Sequence, residues 1–202
     1  MIAVGVFVVL TTWQKGREVL TRNRTDEEGP LRAFVDEIRE LDPPIYRSPG
    51  TAVFLNANKE TTPLAMRATV EHSNALHRNV VILSIDTLKV PNVPEGEQVT
   101  IDELGYRDDG ISHVVASVGF QDEIDVPRIL TLAVAHGLEG DCDVDRASYY
   151  LSRMTIVPTD APTMRRWRKR LFMAVARNAS NPVTYFKLPD DRTVVMGSHV
   201  TF

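Results

Sequence analysis

The sequence predicts an α/β chain: a single mixed, partly parallel sheet flanked by helices, with the end of a truncated transmembrane helix at its N-terminus. Three observations carry this. Runs of strand length rich in β-branched residues alternate with amphipathic helical stretches, an order that lays strands parallel with helical crossovers. Two apolar runs near the C-terminus lie close enough to form an antiparallel hairpin, which makes the sheet mixed. The opening Met1–Thr12 is apolar and uncharged, unlike anything after it.

As a helix, that leader covers roughly 18 Å, whereas a bilayer core needs about 20 residues. A signal peptide would carry a basic segment before the apolar run and a small-residue cleavage site after it, and neither is present. A buried element of the folded body is the second reading. The third, which we favour, is the distal end of a membrane helix: Trp13, then Lys15, Arg17, Arg22 and Arg24, repeats the aromatic belt and basic flank of a cytoplasmic boundary. The expected organisation is therefore 1–12 as the helix end, 13–29 as a polar juxtamembrane linker, and 30–202 as one cytoplasmic domain.

Pro30 suits a first helical turn. Leu31, Phe34, Val35, Ile38 and Leu41 then follow helical spacing until Asp42-Pro43-Pro44 stops them. Thr51–Leu55 reads as a short strand. Thr62 and Pro63 open a helix whose apolar face is Leu64, Ala65, Ala68, His72, Ala75 and Leu76. Asn79–Ile85 has the composition of a strand covered on both faces. Gln98–Leu104 is a weaker strand and Ile111–Phe120 a stronger one. Asp125 caps a helix over Val126–His136, with Pro127 in its first turn and Gly137 at its stop. Ser148–Val157 alternates as a strand. Thr163–Ala179 is a helix with Met164, Trp167, Leu171, Ala174 and Val175 on one face, Trp167 turned to the core. Val183–Lys187 and Thr193–Thr201 form the closing hairpin across Leu188–Arg192.

Composition narrows the function. With 23 Lys and Arg against 27 Asp and Glu, the formal net charge is −4, which argues against nucleic acid as a partner. One cysteine, Cys142, rules out an internal disulfide and any zinc site with two thiolates. Its acidic neighbours raise a thiol pKa, so it is read as inert. Neither glycine-rich phosphate loop nor a G-x-S-x-G elbow occurs. Asp141–Asp145 begins like a calcium loop, but Arg146 and Ser152 stand where that loop needs Gly and Glu. His72, His77, His113, His136 and His199 show no metal-ligand spacing. We therefore assign no catalytic residue, no metal and no cofactor, and no enzyme activity.

The one concentrated charge feature is Arg165-Arg166-Trp167-Arg168-Lys169-Arg170. A solvated outer helix face, contact with anionic lipid headgroups, and a contact between subunits or with a regulatory ligand all fit it. A soluble nucleotide-sensing module is the alternative for the whole chain, with a ligand at the loops after Leu55 and Asp86.

Several segments resemble the C-terminal region of the KUP (also HAK/KT) potassium-uptake transporters. In order they are Thr11–Arg17, Gly50–Leu55, His72–His77 before Val80-Val81, Gly119–Pro127, Ser148–Arg153, Val157–Thr159, Trp167-Arg168, Leu171-Phe172, Arg177–Ala179 and the tail from Phe186 to Phe202. Val118 stands where the family usually has Tyr, Ser152 where Gly is usual, and Asn181-Pro182 interrupts a normally small, apolar stretch. The resemblance implies secondary active potassium uptake, commonly with proton symport, in a multi-pass protein of the cell membrane. It implies that potassium is coordinated in membrane helices absent from this chain, and that this domain is regulatory or assembles subunits, as a homodimer, on the cytoplasmic side of the lipid membrane.

Overall fold

The computed structural model describes residues 2–107, 109–157, 164–176 and 182–201. They form six helices: α1 (Ile2–Glu28), α2 (Leu31–Glu40), α3 (Leu64–Ser73), α4 (Val126–Ala135), α5 (Arg166–Ala176) and α6 (Pro182–Tyr185). The six strands are β1 (Tyr46–Asn56), β2 (Ala75–Leu88), β3 (Val99–Asp102), β4 (Ile111–Gly119), β5 (Ser148–Val157) and β6 (Thr193–Thr201). One sheet runs in the order β3-β4-β2-β1-β5-β6. The chain divides into two compact units, 28–152 with 182–196, and 1–27 with 153–181 and 197–202.

In the larger unit, β1 pairs in parallel with β2, with Val53 opposite Val81, and with β5, with Phe54 opposite Tyr150. β2 pairs in parallel with β4, and β3 runs antiparallel to β4. The expected mixed, partly parallel sheet is present, and an antiparallel pair among the described residues is β3–β4. Successive residues of each inner strand point to opposite faces. Ala52, Phe54, Val80, Ile82 and Ile111 pack under α2 and α3, while Val53, Leu55, Val81, Leu83 and Val114 pack under α4. The step from β1 to β2 and the step from β4 to β5 go opposite ways across the sheet, so crossovers of one hand put α3 and α4 on opposite faces.

Local signals explain where elements start and stop. α2 buries Leu31, Phe34, Val35 and Ile38, as its spacing predicts. Pro30 precedes the helix in extended conformation instead of lying in its first turn. The Asp125 carboxylate accepts from the Arg128 N–H at 3.0 Å and caps α4, and Gly137 at φ 90° ends that turn. α3 begins after Pro63, and the Thr62 hydroxyl donates back to the Pro30 carbonyl at 3.4 Å instead of capping the helix.

Four expectations are corrected. The stretch 13–29 is helical to Glu28, not a linker: it has no proline before Pro30, and Glu18 pairs with Lys15 and Arg22 at helical spacing. The apolar face drawn through Ala75 and Leu76 fails because α3 ends at Asn74 in the left-handed conformation (φ 44°), and both residues belong to β2. Ala65, Met66 and Val70 are the buried face, and His72 is exposed. The closing hairpin does not form. Pro182 opens a helical turn, where its fixed φ suits the first position, and Val183 and Leu188 plug the α4 face. Lastly, the buried residues of α5 are Lys169 and Phe172, while Trp167 is 52% exposed. Met164 and Arg165, expected in the helix, precede it, while Thr163 and 177–179 lie outside the described residues.

The smaller unit explains that last difference. Phe172 stacks on Trp13 with ring centroids 5.3 Å apart, and the Arg168 guanidinium donates to Thr12 Oγ1 at 2.9 Å and Thr11 Oγ1 at 3.1 Å. Gly16 makes the approach possible, since a Cβ there would lie 2.3 Å from the Phe172 ring. A single aromatic set against a glycine decides which face of α5 is buried, not the longer apolar stripe. Gly16→Leu should push Phe172 off Trp13. In a Trp167→Phe background we expect Trp13 emission to shift to the red, and an unchanged spectrum would show that this contact does not hold α5.

Candidate functional site

No catalytic residue was expected, and the polar groups of the larger unit gather in one place of note. On the α2 face of the sheet, the start of α2, the loop after β1 and strands β3 and β4 enclose a pocket of about 320 Å³. Its floor is His113, which is 4% exposed. His113 sits opposite Ile82 in the β2–β4 register, so it shares a face with Ser84, and its Nε2 lies 3.1 Å from the Ser84 hydroxyl. Ser84 at the end of the apolar run Val80–Leu83, and His113 before Val114–Ala116, are the sequence signal for this pair, which inspection of single histidines overlooks.

The rim is charged. Arg32 of α2 pairs with Asp102 of β3 at 2.8 Å, and Lys59 of the loop after β1 lies 4.0 Å from Asp86 at the end of β2. Lys59, in the loop after β1, thus reaches a residue near the end of β2. The loop after β1 is braced by its own bonds: Asn56 Nδ2 donates to the carbonyls of Asn58 (2.8 Å) and Thr61 (2.6 Å). The Thr61 hydroxyl donates to the buried Glu28 carboxylate, and the Leu31 N–H donates to the Glu60 carbonyl at 3.0 Å.

Burial pushes the His113 imidazole below its ordinary pKa. The Asp102 and Glu60 carboxylates pull it back up, and Arg32 and Lys59 push it further down. The site can exchange a proton at one imidazole and present paired charges around it. The Ser84 hydroxyl and the His113 imidazole form a buried pair within hydrogen-bond distance, and among the described residues neither is joined by a third group that would orient the ring.

The other residues singled out in sequence do not join it. His77 is half-buried, its ring 6.0 Å from that of Tyr150, and burial lowers its pKa. His136 is exposed at the end of α4. Cys142 has its thiol pKa raised, chiefly by burial and secondarily by Asp143 and Asp141, so the acidic neighbours are the lesser cause. Asp143 caps a short 3₁₀ turn, accepting from the Asp145 N–H at 3.1 Å. Among the described residues no three His, Cys, Asp or Glu side chains converge to hold a metal ion. In the smaller unit, Arg165, Arg166 and Arg170 are exposed, Arg168 is committed to Thr11 and Thr12, and Lys169 is buried. Val4, Val6, Phe7, Val9 and Leu10 of α1 are exposed. Among the described residues no helix is long and apolar enough to cross a membrane.

Comparison with known proteins gives one consistent answer. The family described as "K+ potassium transporter C-terminal domain" matches residues 49–202. A protein of Rhodococcus jostii (strain RHA1) named "Probable potassium transport system protein Kup" is 50% identical over 200 residues, covering 99% of this chain and 30% of its own length. Proteins of the same name from Caulobacter vibrioides (strain NA1000 / CB15N) and Azoarcus sp. (strain BH72) are 34% and 36% identical, over 100% and 99% of this chain. The chain spans about 30% of the length of these curated relatives. No solved structure matches it.

The buried imidazole makes stability depend on pH. In the unfolded chain His113 takes up a proton near its ordinary value of about 6.5, whereas the folded state resists it. Stability is therefore full above about pH 6.5 and declines as pH falls below it. His113→Gln should flatten the change in urea midpoint between pH 7 and pH 5, and the remaining slope should include His77. An unaltered slope would place the titrating group elsewhere.

Proposed function

The chain belongs to the potassium transporter C-terminal domain family, and from that membership we propose that it is the cytoplasmic C-terminal part of a potassium-uptake protein of the cell membrane. The observation that carries the reading is the 50% identity to a potassium transport protein over nearly the whole chain, with only 30% of that relative covered. The potassium path then lies in the membrane part of the full-length protein. A dehydrated potassium ion needs a cage of oxygens within the bilayer, and a soluble α/β body does not supply a path across it. Proton coupling, if the full-length protein works as a symporter, belongs to that same membrane part.

In this reading Ile2–Thr12 is the inner end of the last membrane helix. Its exposed apolar side chains, followed by Trp13 and the basic run from Lys15, support it. α1 continues unbroken to Glu28, so the stretch after the membrane end is helical. In this reading 1–12 is the membrane end, 13–29 the juxtamembrane stretch and 30–202 the cytoplasmic part. The body itself regulates transport or pairs subunits as a homodimer, and no enzymatic step is assigned to its residues.

Joining this chain to the part of the Rhodococcus jostii relative that it does not match should give a protein that restores growth of an uptake-deficient bacterium at low potassium. The chain alone should not restore growth. A chimera that reaches the membrane and carries no potassium, beside an intact relative that does, would contradict the assignment.

A further inference from the structure

Resting on the reading that Ile2–Thr12 is the inner end of a membrane helix, we infer that the basic face of α5 is a docking surface for anionic phospholipid headgroups beside the point where α1 leaves the bilayer. From Met164 to Ala176 the chain carries five basic residues and no Asp or Glu. A helix face adapted only to water has no need of a single sign of charge, and like charges one turn apart weaken it.

Position along α1 gives this charge its meaning. Arg168 bonds Thr11 and Thr12, and Phe172 packs on Trp13 and Gly16. The contacts advance in the same direction along both helices, at about 1.5 Å of rise per residue in each. Arg165 and Arg166, one turn before these contacts, therefore fall on the side of Leu10, where the exposed apolar run of α1 ends. Burial of α1 begins at Thr12, and the residues before it are the exposed Val4, Val6, Phe7, Val9 and Leu10. Trp167 is itself 52% exposed among the arginines. Apolar residues, an exposed indole and guanidinium groups set side by side are the combination that a bilayer interface selects.

The same geometry favours lipid over a free anion. A soluble phosphate would be held by Arg165, Arg166 and Arg170 alone and would draw nothing from the adjoining apolar band. A bilayer meets both at once. Arg168 is the positioning residue: it ties α5 to the threonines, while Arg165, Arg166 and Arg170 are exposed. Phe172 and Gly16 fix the helix so that this charge stays at one depth instead of sampling many.

Flotation of the full chain with phosphatidylcholine vesicles, and with vesicles holding three parts in ten phosphatidylglycerol, tests the surface. The proposal expects tighter binding to the anionic vesicles. Arg165→Ala with Arg170→Ala should lower that affinity about thirty-fold, since each basic residue near an anionic surface contributes roughly a fivefold step. The pair Arg165→Lys with Arg170→Lys should retain it, and millimolar glycerol phosphate should not compete. Equal binding to both vesicles, a preference that survives the alanine pair, loss of preference in the lysine pair, or competition by glycerol phosphate would each overturn the proposal. Failure of the membrane-end reading looks different: binding to pure phosphatidylcholine would be absent while the arginine-dependent preference remained.

Discussion

The fold of the larger unit depends on the second half of β1, Thr51–Asn56, having no solvent side. Ala52, Val53 and Phe54 are each 0% exposed, so alternate residues must find apolar cover above and below. A strand buried on both faces needs helices on both faces, and short parallel crossovers supply them. α2 and α3 cover one side and α4 the other, while β2 and β5 pair with the two edges of β1. Every other feature of this unit, including the pocket over His113, is set by which residues these covering helices leave uncovered.

Several segments that carry the family resemblance have a structural account. In Gly119–Pro127, the Asp122 carboxylate accepts from the N–H groups of Gly119 (2.7 Å) and Val93 (2.9 Å) and from Asn92 Nδ2 (2.7 Å). The Asn92 amide, then the two backbone groups, hold its pKa below the ordinary carboxylate value. Gly119 passes so close to Pro91 that a Cβ would lie 2.2 Å from the Pro91 carbonyl oxygen. Asp125 then caps α4. This segment anchors the turn from β4 into α4, a task of architecture and not of chemistry. The same holds for Thr11–Arg17, whose threonines, tryptophan and glycine seat α5.

Much of this was legible in the sequence, for definite reasons. The inner strands declare themselves because residues covered on both faces must be apolar and β-branched, and α2 and α4 because their stripes face one large partner. The elements misread are those whose partner is not a broad core. α5 is oriented by one phenyl ring against one glycine, which no hydrophobic stripe reports. Val183–Lys187 is apolar enough for a strand, yet Pro182 and the gap under α4 take it as a plug. The apolar face of α3 was drawn through a break that a left-handed asparagine makes. For the pocket, His113 and Ser84 were visible only as residues of two strands, and their meeting depends on register that a single sequence leaves open.

The proposal that α1 begins as the inner end of a membrane helix is tested most directly by its depth in the bilayer. With Trp167 replaced by Phe, Trp13 is the remaining indole, and lipids brominated at successive acyl positions report its depth by quenching. The account predicts strongest quenching from bromines nearest the headgroup, with little from the bilayer centre. Trp13 untouched by every brominated lipid, while the chain is bound to vesicles, would contradict it.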